Sequence, residues 1–274
     1  MLVFQVIFIL ILFVLFLLIF YLSGKHPSNE RDWSKNQAIL PFAEFKKNGK
    51  VLIKNIRHCS YKTANDYSVS YYDREYDINR LKKVWFLLVH FTGWKGAAHA
   101  FVSFEFEDGT FVSVSVEQRR QKGESFSAFK GLFRQFELMY VIADERDTIL
   151  LRTEHHKNNI FLYPLKLSKE KEKELFCDIL KRANALAKNP EFYHSITNAC
   201  FGNIVDHINN ILPKKIPLDH RVFLPENADK YLYDLGLIDT DLHFSEIRKK
   251  HQINVLAEKY ANDPNFSQKI RNKK

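Results

Sequence analysis

The chain has 274 residues, and its 41 Lys and Arg against 32 Asp and Glu give a formal net charge of +9. With 46% hydrophobic residues and only 9 Gly and 8 Pro, it is neither disordered nor fibrous, and we expect one large or two small globular domains. The positive charge is spread along the chain without a zinc-finger spacing or an RNA-stacking signature, so we expect no nucleic-acid partner.

The N-terminal segment is an apolar run over residues 1–22 that only Gln5 interrupts. A helix rises about 1.5 Å per residue, so this run is long enough to cross a bilayer. It lacks the basic start of a cleaved signal peptide and exceeds the usual length of its apolar region. The sequence therefore predicts a transmembrane anchor over residues 1–23 and a polar linker over residues 24–50. The basic residues after the run weakly favour a cytoplasmic body on charge alone.

The segments that follow the linker give weaker signals. We interpret residues 51–55 as a short strand and the Tyr-rich residues 62–77 as loop and turn. Residues 81–91 place apolar side chains near helical spacing, which favours a helix, although their β-branched and aromatic content leaves a strand open. Residues 169–187 predict a helix in which Cys177 is a small buried hydrophobe.

The clearest element is a β-hairpin formed by residues 99–106 and 111–117. If the intervening Glu107, Asp108 and Gly109 form a three-residue loop, Phe106 faces Thr110, and one face of the hairpin is wholly apolar. In this register His99 lies across from Glu117, at the separation of a cross-strand pair. Such a pair is either a half-exposed surface contact or a histidine oriented by a carboxylate.

A cysteine in a second segment can complete this pair. Residues 201–212 carry apolar side chains at helical spacing, and Thr197 or Asn198 is the expected N-cap. Cys200 then falls in the first helical turn, where the helix dipole and free N–H groups lower a thiol pKa. This placement suits a nucleophile, with His99 as its base and His194 or His207 as alternative bases.

These segments resemble the Lnb N-terminal periplasmic domain family. The resemblance extends from Val51 to about Leu235 and rests on five blocks in one order: residues 99–106, 115–120, 137–147, 162–165 and 193–200. The family looks like a relative of circularly permuted papain-like thiol enzymes, in which the histidine strand precedes the cysteine helix. One departure stands beside the cysteine, since the family usually has Asn before it and Thr after it, where this chain has Ala199 and Phe201.

The resemblance implies an α+β fold with a central antiparallel sheet of the permuted papain-like kind, preceded by one N-terminal transmembrane helix. The catalytic domain then covers residues 51–245, followed by a basic C-terminal helix or tail over residues 246–274. The location implied is the bacterial inner membrane, with the body in the periplasm.

The function implied is thiol-dependent acyl transfer or acyl hydrolysis in the cell envelope, with membrane lipid and a lipoprotein or envelope peptide as partners. Its catalytic residues are Cys200, His99 and Glu117. An envelope cysteine peptidase or amidase and a non-catalytic binding module are the alternatives. The residues expected to bind substrate are Arg119, Arg120, Tyr140 and Arg146, since arginines can bind a phosphate bidentately. We expect no cofactor, because nucleotide-binding glycine motifs are absent, and no metal, because residues 154–159 lack a spaced ligand set.

Overall fold

The computed structural model describes residues 2–64, 66–93 and 96–272. Within these residues the strands are β1 Phe42–Phe45, β2 Lys50–Tyr61, β3 Tyr67–Asp77, β4 Leu81–His90, β5 Ala98–Phe106, β6 Phe111–Arg119, β7 Glu137–Ala143 and β8 Asn159–Pro164. The α-helices are α1 Leu2–Ser23, α2 Glu145–Leu150, α3 Lys169–Lys188, α4 Cys200–Ile211, α5 His220–Phe223, α6 Ala228–Asp234, α7 Phe244–His251, α8 Asn254–Lys259 and α9 Phe266–Lys269. A π-helical turn, Leu151–His155, continues α2.

All eight strands belong to one sheet, in the order β1-β2-β7-β6-β5-β4-β8, with β3 also paired to β2. The named strands pair antiparallel, except where β2 runs parallel to β7. The fold is therefore a mixed α and β domain built on a single large sheet.

The predicted hairpin is confirmed in its loop and its register. Phe106 N–H donates to the Thr110 carbonyl at 2.9 Å, and Gly109 adopts a φ of 79°, which closes a three-residue loop at low steric cost. Phe101 pairs with Ser115, as the predicted register requires.

The two faces of the hairpin are both buried, under different helices. The apolar face packs against α3 and α4 in the main core, which contains Val102, Val114, Phe176 and Phe201. On the opposite face, a half-exposed contact between His99 and Glu117 was one of the two alternatives. A second core covers this face, with Phe101 packed among residues of the C-terminal region such as Ile253, Ala257 and Phe266. The predicted C-terminal tail is thus a structural part of the domain.

Three segment predictions are wrong. The predicted helix at residues 81–91 is β4, whose side chains are buried on both faces of the sheet; such strands carry near-continuous apolar runs instead of alternation. The predicted loop at residues 62–77 contains β3, which lies outside the main order of strands and so keeps polar residues. The predicted linker contains β1 and is tied to the sheet, where Arg119 donates to the carbonyls of Gln37 and Ala38.

The predicted transmembrane anchor is also corrected. The segment forms helix α1, and Met1 lies outside the described residues. No helix of the described chain has both the length and the apolar content for a span. The predicted fold class, which included a transmembrane helix over residues 1–23, is therefore wrong in this respect.

Candidate active site

Cys200 lies in the first turn of α4, as predicted, and is its first residue, but the N-cap is one residue after Asn198 and two after Thr197, the two expected caps. Ala199 is the N-cap, and no side chain caps the first turn. Asn203 holds this turn from within the helix, since its Nδ2 donates to the Ala199 carbonyl at 2.9 Å. The N–H groups at the start of α4 therefore lie next to the thiol without a capping side chain.

The Cys200 thiol is buried in the main core. Burial raises its pKa, and the backbone N–H groups of Ala100, Phe201 and Cys200 itself act in the opposite direction. Buried thiols resist ionisation because the thiolate loses its solvation. In this resting arrangement Cys200 is a neutral thiol beside backbone donors from both α4 and β5.

His99 is linked to Glu117 through a serine. The Nε2 atom of His99 lies 2.7 Å from Ser115 Oγ, and Ser115 Oγ donates to Glu117 Oε1 at 2.9 Å. Because the serine hydrogen is committed to the carboxylate, His99 must carry its proton on Nε2 and donate to Ser115. The predicted proximity of His99 and Glu117 is present, with Ser115 between the two side chains.

Burial and the cation of Arg152 together determine the charges of His99 and Glu117. Its Nη2 atom lies 2.8 Å from Glu117 Oε1. Burial alone would raise the pKa of Glu117, but the cations of Arg152 and Arg57 outweigh it and hold that pKa well below its usual range. Burial, reinforced by Arg152, lowers the pKa of His99 to about 3. The site thus combines a neutral imidazole with an ionised carboxylate.

A fork in the sheet brings the cysteine and the histidine into the same region. The pairing of β5 with β6 ends at Phe101 and Ser115, so the two strands separate beyond that point. Ala100, one residue from His99, lies close enough to Cys200 for its N–H to lower the pKa of the thiol. The His99 side chain lies on the other face of β5, stacked beside Phe101. In the described chain no hydrogen bond joins Cys200 Sγ to the His99 ring.

A cavity of about 280 Å³ opens beside this fork. His99, Glu117 and Arg152 stand on its wall, while Cys200 does not. Tyr193 also lies on the wall. Burial raises the pKa of its hydroxyl, and the nearby Cys200 thiolate raises that pKa further. The other side chains on the wall are Asn36, Arg57, Phe91, Val116, Gln118, Arg120, Phe126, Leu151, His156 and Asn158.

The four residues predicted to bind substrate occupy different places. Arg120 lines the cavity, and its guanidinium makes no hydrogen bond or ion pair within the described chain. Arg119 is buried over the Trp33 ring and holds the N-terminal segment. The Tyr140 hydroxyl bonds to Asn203 and His207, and Arg146 donates to the Asp263 carbonyl. Of the four, only Arg120 shares the cavity with His99.

The alternative bases are committed elsewhere. His194 Nδ1 accepts from the Thr197 backbone N–H at 3.2 Å, within the turn before α4. His207 lies 2.7 Å from Asp178 and from Tyr140, two turns along α4. No group of His, Cys, Asp and Glu side chains among the described residues could hold a metal ion.

Sequence reasoning missed two polar residues of the site, Ser115 and Arg152. Ser115 shares a strand face with His99 and Glu117 in the predicted register, so the hairpin alternation contained the signal for it. Arg152 had no such signal, because it projects from a π-helical turn and reaches the site only through the packing of α2 on the sheet.

The sequence was also compared with known proteins. A sequence model of the family described as the Lnb N-terminal periplasmic domain matches residues 67–226. This range contains Cys200, His99, Glu117 and Arg152 and covers more than half of the chain. No curated protein and no solved structure matches.

Proposed function

Because the chain belongs to the Lnb N-terminal periplasmic domain family, we propose that it catalyses thiol-dependent acyl transfer or acyl hydrolysis in the periplasm. Cys200 is the nucleophile and His99 is the base. One observation carries this proposal: Cys200 at the start of α4 lies close to Ala100 of β5, and the residue before Ala100 is a histidine that Ser115 and Glu117 hold in a single tautomer.

Proton transfer begins from two neutral groups. With the proton on Nε2, His99 has its lone pair on Nδ1, and this atom accepts the Cys200 proton when the two side chains meet across the fork. Glu117 stabilises the resulting imidazolium through Ser115. Arg152 opposes that charge, so the ion pair is transient in the absence of substrate.

The covalent step is an acyl exchange. The Cys200 thiolate attacks the carbonyl carbon of an ester, the carbon–oxygen bond to the leaving alcohol breaks, and His99 returns its proton to that alcohol. The product is an acyl thioester on Cys200. An amine acceptor then attacks the thioester in a transferase, or water does so in a hydrolase, and the thiol is regenerated.

Backbone donors next to the sulfur stabilise the tetrahedral intermediate. The N–H groups of Ala100, Cys200 and Phe201 lie close enough to the sulfur to lower the pKa of the thiol, and no side chain of the described residues caps this helix start. Each preorganised donor directed at a developing oxyanion is typically worth about 3 to 4 kcal/mol. These groups form the oxyanion site of the proposed reaction.

The cavity wall fits an amphiphilic substrate. Phe91, Phe126 and Leu151 provide apolar surface. Arg120 provides a guanidinium that makes no hydrogen bond or ion pair with the described residues. An acyl chain against the apolar wall and an anionic group on Arg120 would occupy both parts. This combination supports a phospholipid or a lipoprotein as the substrate.

The test compares the full chain with its Cys200→Ala and Cys177→Ala variants on phospholipid vesicles with a labelled acyl chain and an added peptide amine. We expect the wild type and Cys177→Ala to produce labelled fatty acid or labelled acyl peptide, and Cys200→Ala to produce neither. Cleavage of the peptide instead of the lipid would indicate a peptidase. Equal products from all three proteins, or none from any, would reject the enzyme and favour a binding module.

A further inference from the structure

A hydrogen-bonded chain of four side chains lies behind Cys200, on the helix side of the sheet. Asp178 Oδ2 lies 2.7 Å from His207 Nδ1, and His207 Nε2 lies 2.7 Å from the Tyr140 hydroxyl. The Tyr140 hydroxyl also donates to Asn203 Oδ1 at 2.9 Å. We call Asp178, His207, Tyr140 and Asn203 the Tyr140 network. It joins α3, β7 and α4.

Asn203, at one end of the Tyr140 network, hydrogen-bonds to the two residues just before Cys200. Asn203 Nδ2 donates to the Ala199 carbonyl at 2.9 Å and to Asn198 Oδ1 at 3.0 Å. Both acceptors fix the amide orientation, because only the nitrogen can donate, and this leaves Oδ1 to accept from Tyr140. The position of Tyr140 in the sheet is thereby transmitted to the first turn of α4.

Most of the network is shielded from solvent and from the cavity. Tyr140, Asn203 and His207 are buried, and none of the four side chains lines the cavity wall. Burial raises the pKa of Tyr140, so its hydroxyl keeps the proton that it donates to Asn203. The network therefore has no direct access to a substrate in that cavity and acts through the backbone it holds.

We propose that the Tyr140 network is a positioning device that holds the first turn of α4 so that its N–H groups stay directed at the Cys200 sulfur. This inference rests on the proposed role of Cys200 as the reactive thiol. It assigns Tyr140, Asn203 and His207 a positioning role, without contact with substrate. The N–H groups at the start of α4 stabilise the Cys200 thiolate. If the first turn is held less firmly, that stabilisation weakens and the pKa of the thiol rises.

The test is a titration of Cys200 in the full chain, read from the pH dependence of its alkylation by iodoacetamide with peptide mapping to separate Cys59 and Cys177. The midpoint of this profile reports the thiol pKa, whereas the plateau reports access to the sulfur. Tyr140→Phe removes only the hydroxyl. We expect its midpoint to rise by about one pH unit, a tenfold smaller thiolate fraction below the midpoint.

The matched control is Tyr163→Phe. Tyr163 is also buried in the sheet, and its hydroxyl donates to Asp229 at 2.8 Å, away from the turn before Cys200. We expect its midpoint to stay at the wild-type value. A purely structural role for the Tyr140 hydroxyl would lower the melting temperature of both variants and move neither midpoint, and that result would overturn the proposal.

A second variant guards against misfolding of Tyr140→Phe. His207→Gln keeps a polar side chain of similar reach, so we expect a smaller rise of the midpoint in the same direction. An unchanged midpoint in this variant would also overturn the proposal. The titration needs no substrate, so a failure of acyl chemistry in the wild type would reject the proposed function without affecting this result.

Discussion

At the scale of single residues, the site depends on how burial and one arginine set the charge of His99. A base must be neutral to accept a proton, and burial together with Arg152 lowers the pKa of His99 to about 3. In an unfolded chain the imidazole has a pKa of about 6.5. The folded protein therefore excludes a proton that the unfolded chain binds.

The stability of the protein should consequently fall as the pH falls below about 6.5. Between that value and the folded pKa the unfolded state binds more protons, so the free energy of unfolding decreases with decreasing pH. Each pKa unit corresponds to about 1.4 kcal/mol, so His99 should account for about 2 kcal/mol between pH 6.5 and pH 5. Urea unfolding of wild type and His99→Gln at several pH values measures the contribution of His99 to the free energy of unfolding. If this free energy has the same pH dependence in both proteins, the predicted contribution of His99 is wrong.

At the scale of elements, the divergence of β5 from β6 determines what can reach the thiol. Tyr193 precedes α4 and stands on the cavity wall near Cys200, while Cys200 is shielded. The register of the hairpin was predictable from alternation around a turn. The fork was not, because the end of strand pairing depends on tertiary packing, here that of α4 against β5 and β6.

Removal of the Tyr193 side chain should open the cavity toward Cys200. We expect Tyr193→Ala to increase the rate of Cys200 alkylation at pH 8 by about tenfold, which corresponds to the removal of about 1.4 kcal/mol of protection. Phe126→Ala, at an exposed position of the same wall, should change this rate much less. Equal rates for Tyr193→Ala and wild type would show that another side chain shields the sulfur.

At the scale of the whole molecule, the C-terminal segment completes the domain. Arg271 forms two bonds with Glu145, at 2.5 and 2.9 Å, and stacks over Trp85 and Phe111. Glu145 also accepts from Ser103. This buried group covers the face of the sheet that carries His99 and Ser115, so the C-terminal segment supports the site from a distance.

Loss of the Arg271 cation should destabilise the whole domain. Arg271→Met leaves the buried carboxylate of Glu145 without its partner, which typically costs about 3 to 5 kcal/mol. Arg80→Met is the matched control, because its ion pair with Glu107 is more than half exposed on both sides and is expected to contribute at most about 1 kcal/mol. Denaturant unfolding measures the loss of unfolding free energy in each variant. A similar loss in the two variants would contradict a structural role for the C-terminal segment.

Local signals in the sequence accounted for part of this architecture. The hairpin, the helix containing Cys177 and the position of Cys200 follow from periodicity and turn chemistry, which act over a few residues. The strand at β4 was missed because burial on both faces removes alternation. Arg152 was missed because its place in the site depends on tertiary packing. The family match was predicted correctly, whereas the papain-like relationship stays a prediction.

The proposed function requires covalent chemistry at Cys200. The most direct measurement is the intact mass and peptide map of the full chain after brief incubation with mixed phospholipid vesicles and acid quenching. We predict an added acyl mass on Cys200 that hydroxylamine releases, as expected of a thioester, and that is absent from Cys200→Ala and strongly reduced in His99→Gln. An unmodified Cys200, or an acyl group that persists unchanged in His99→Gln, would contradict the proposed pairing of this thiol with this base.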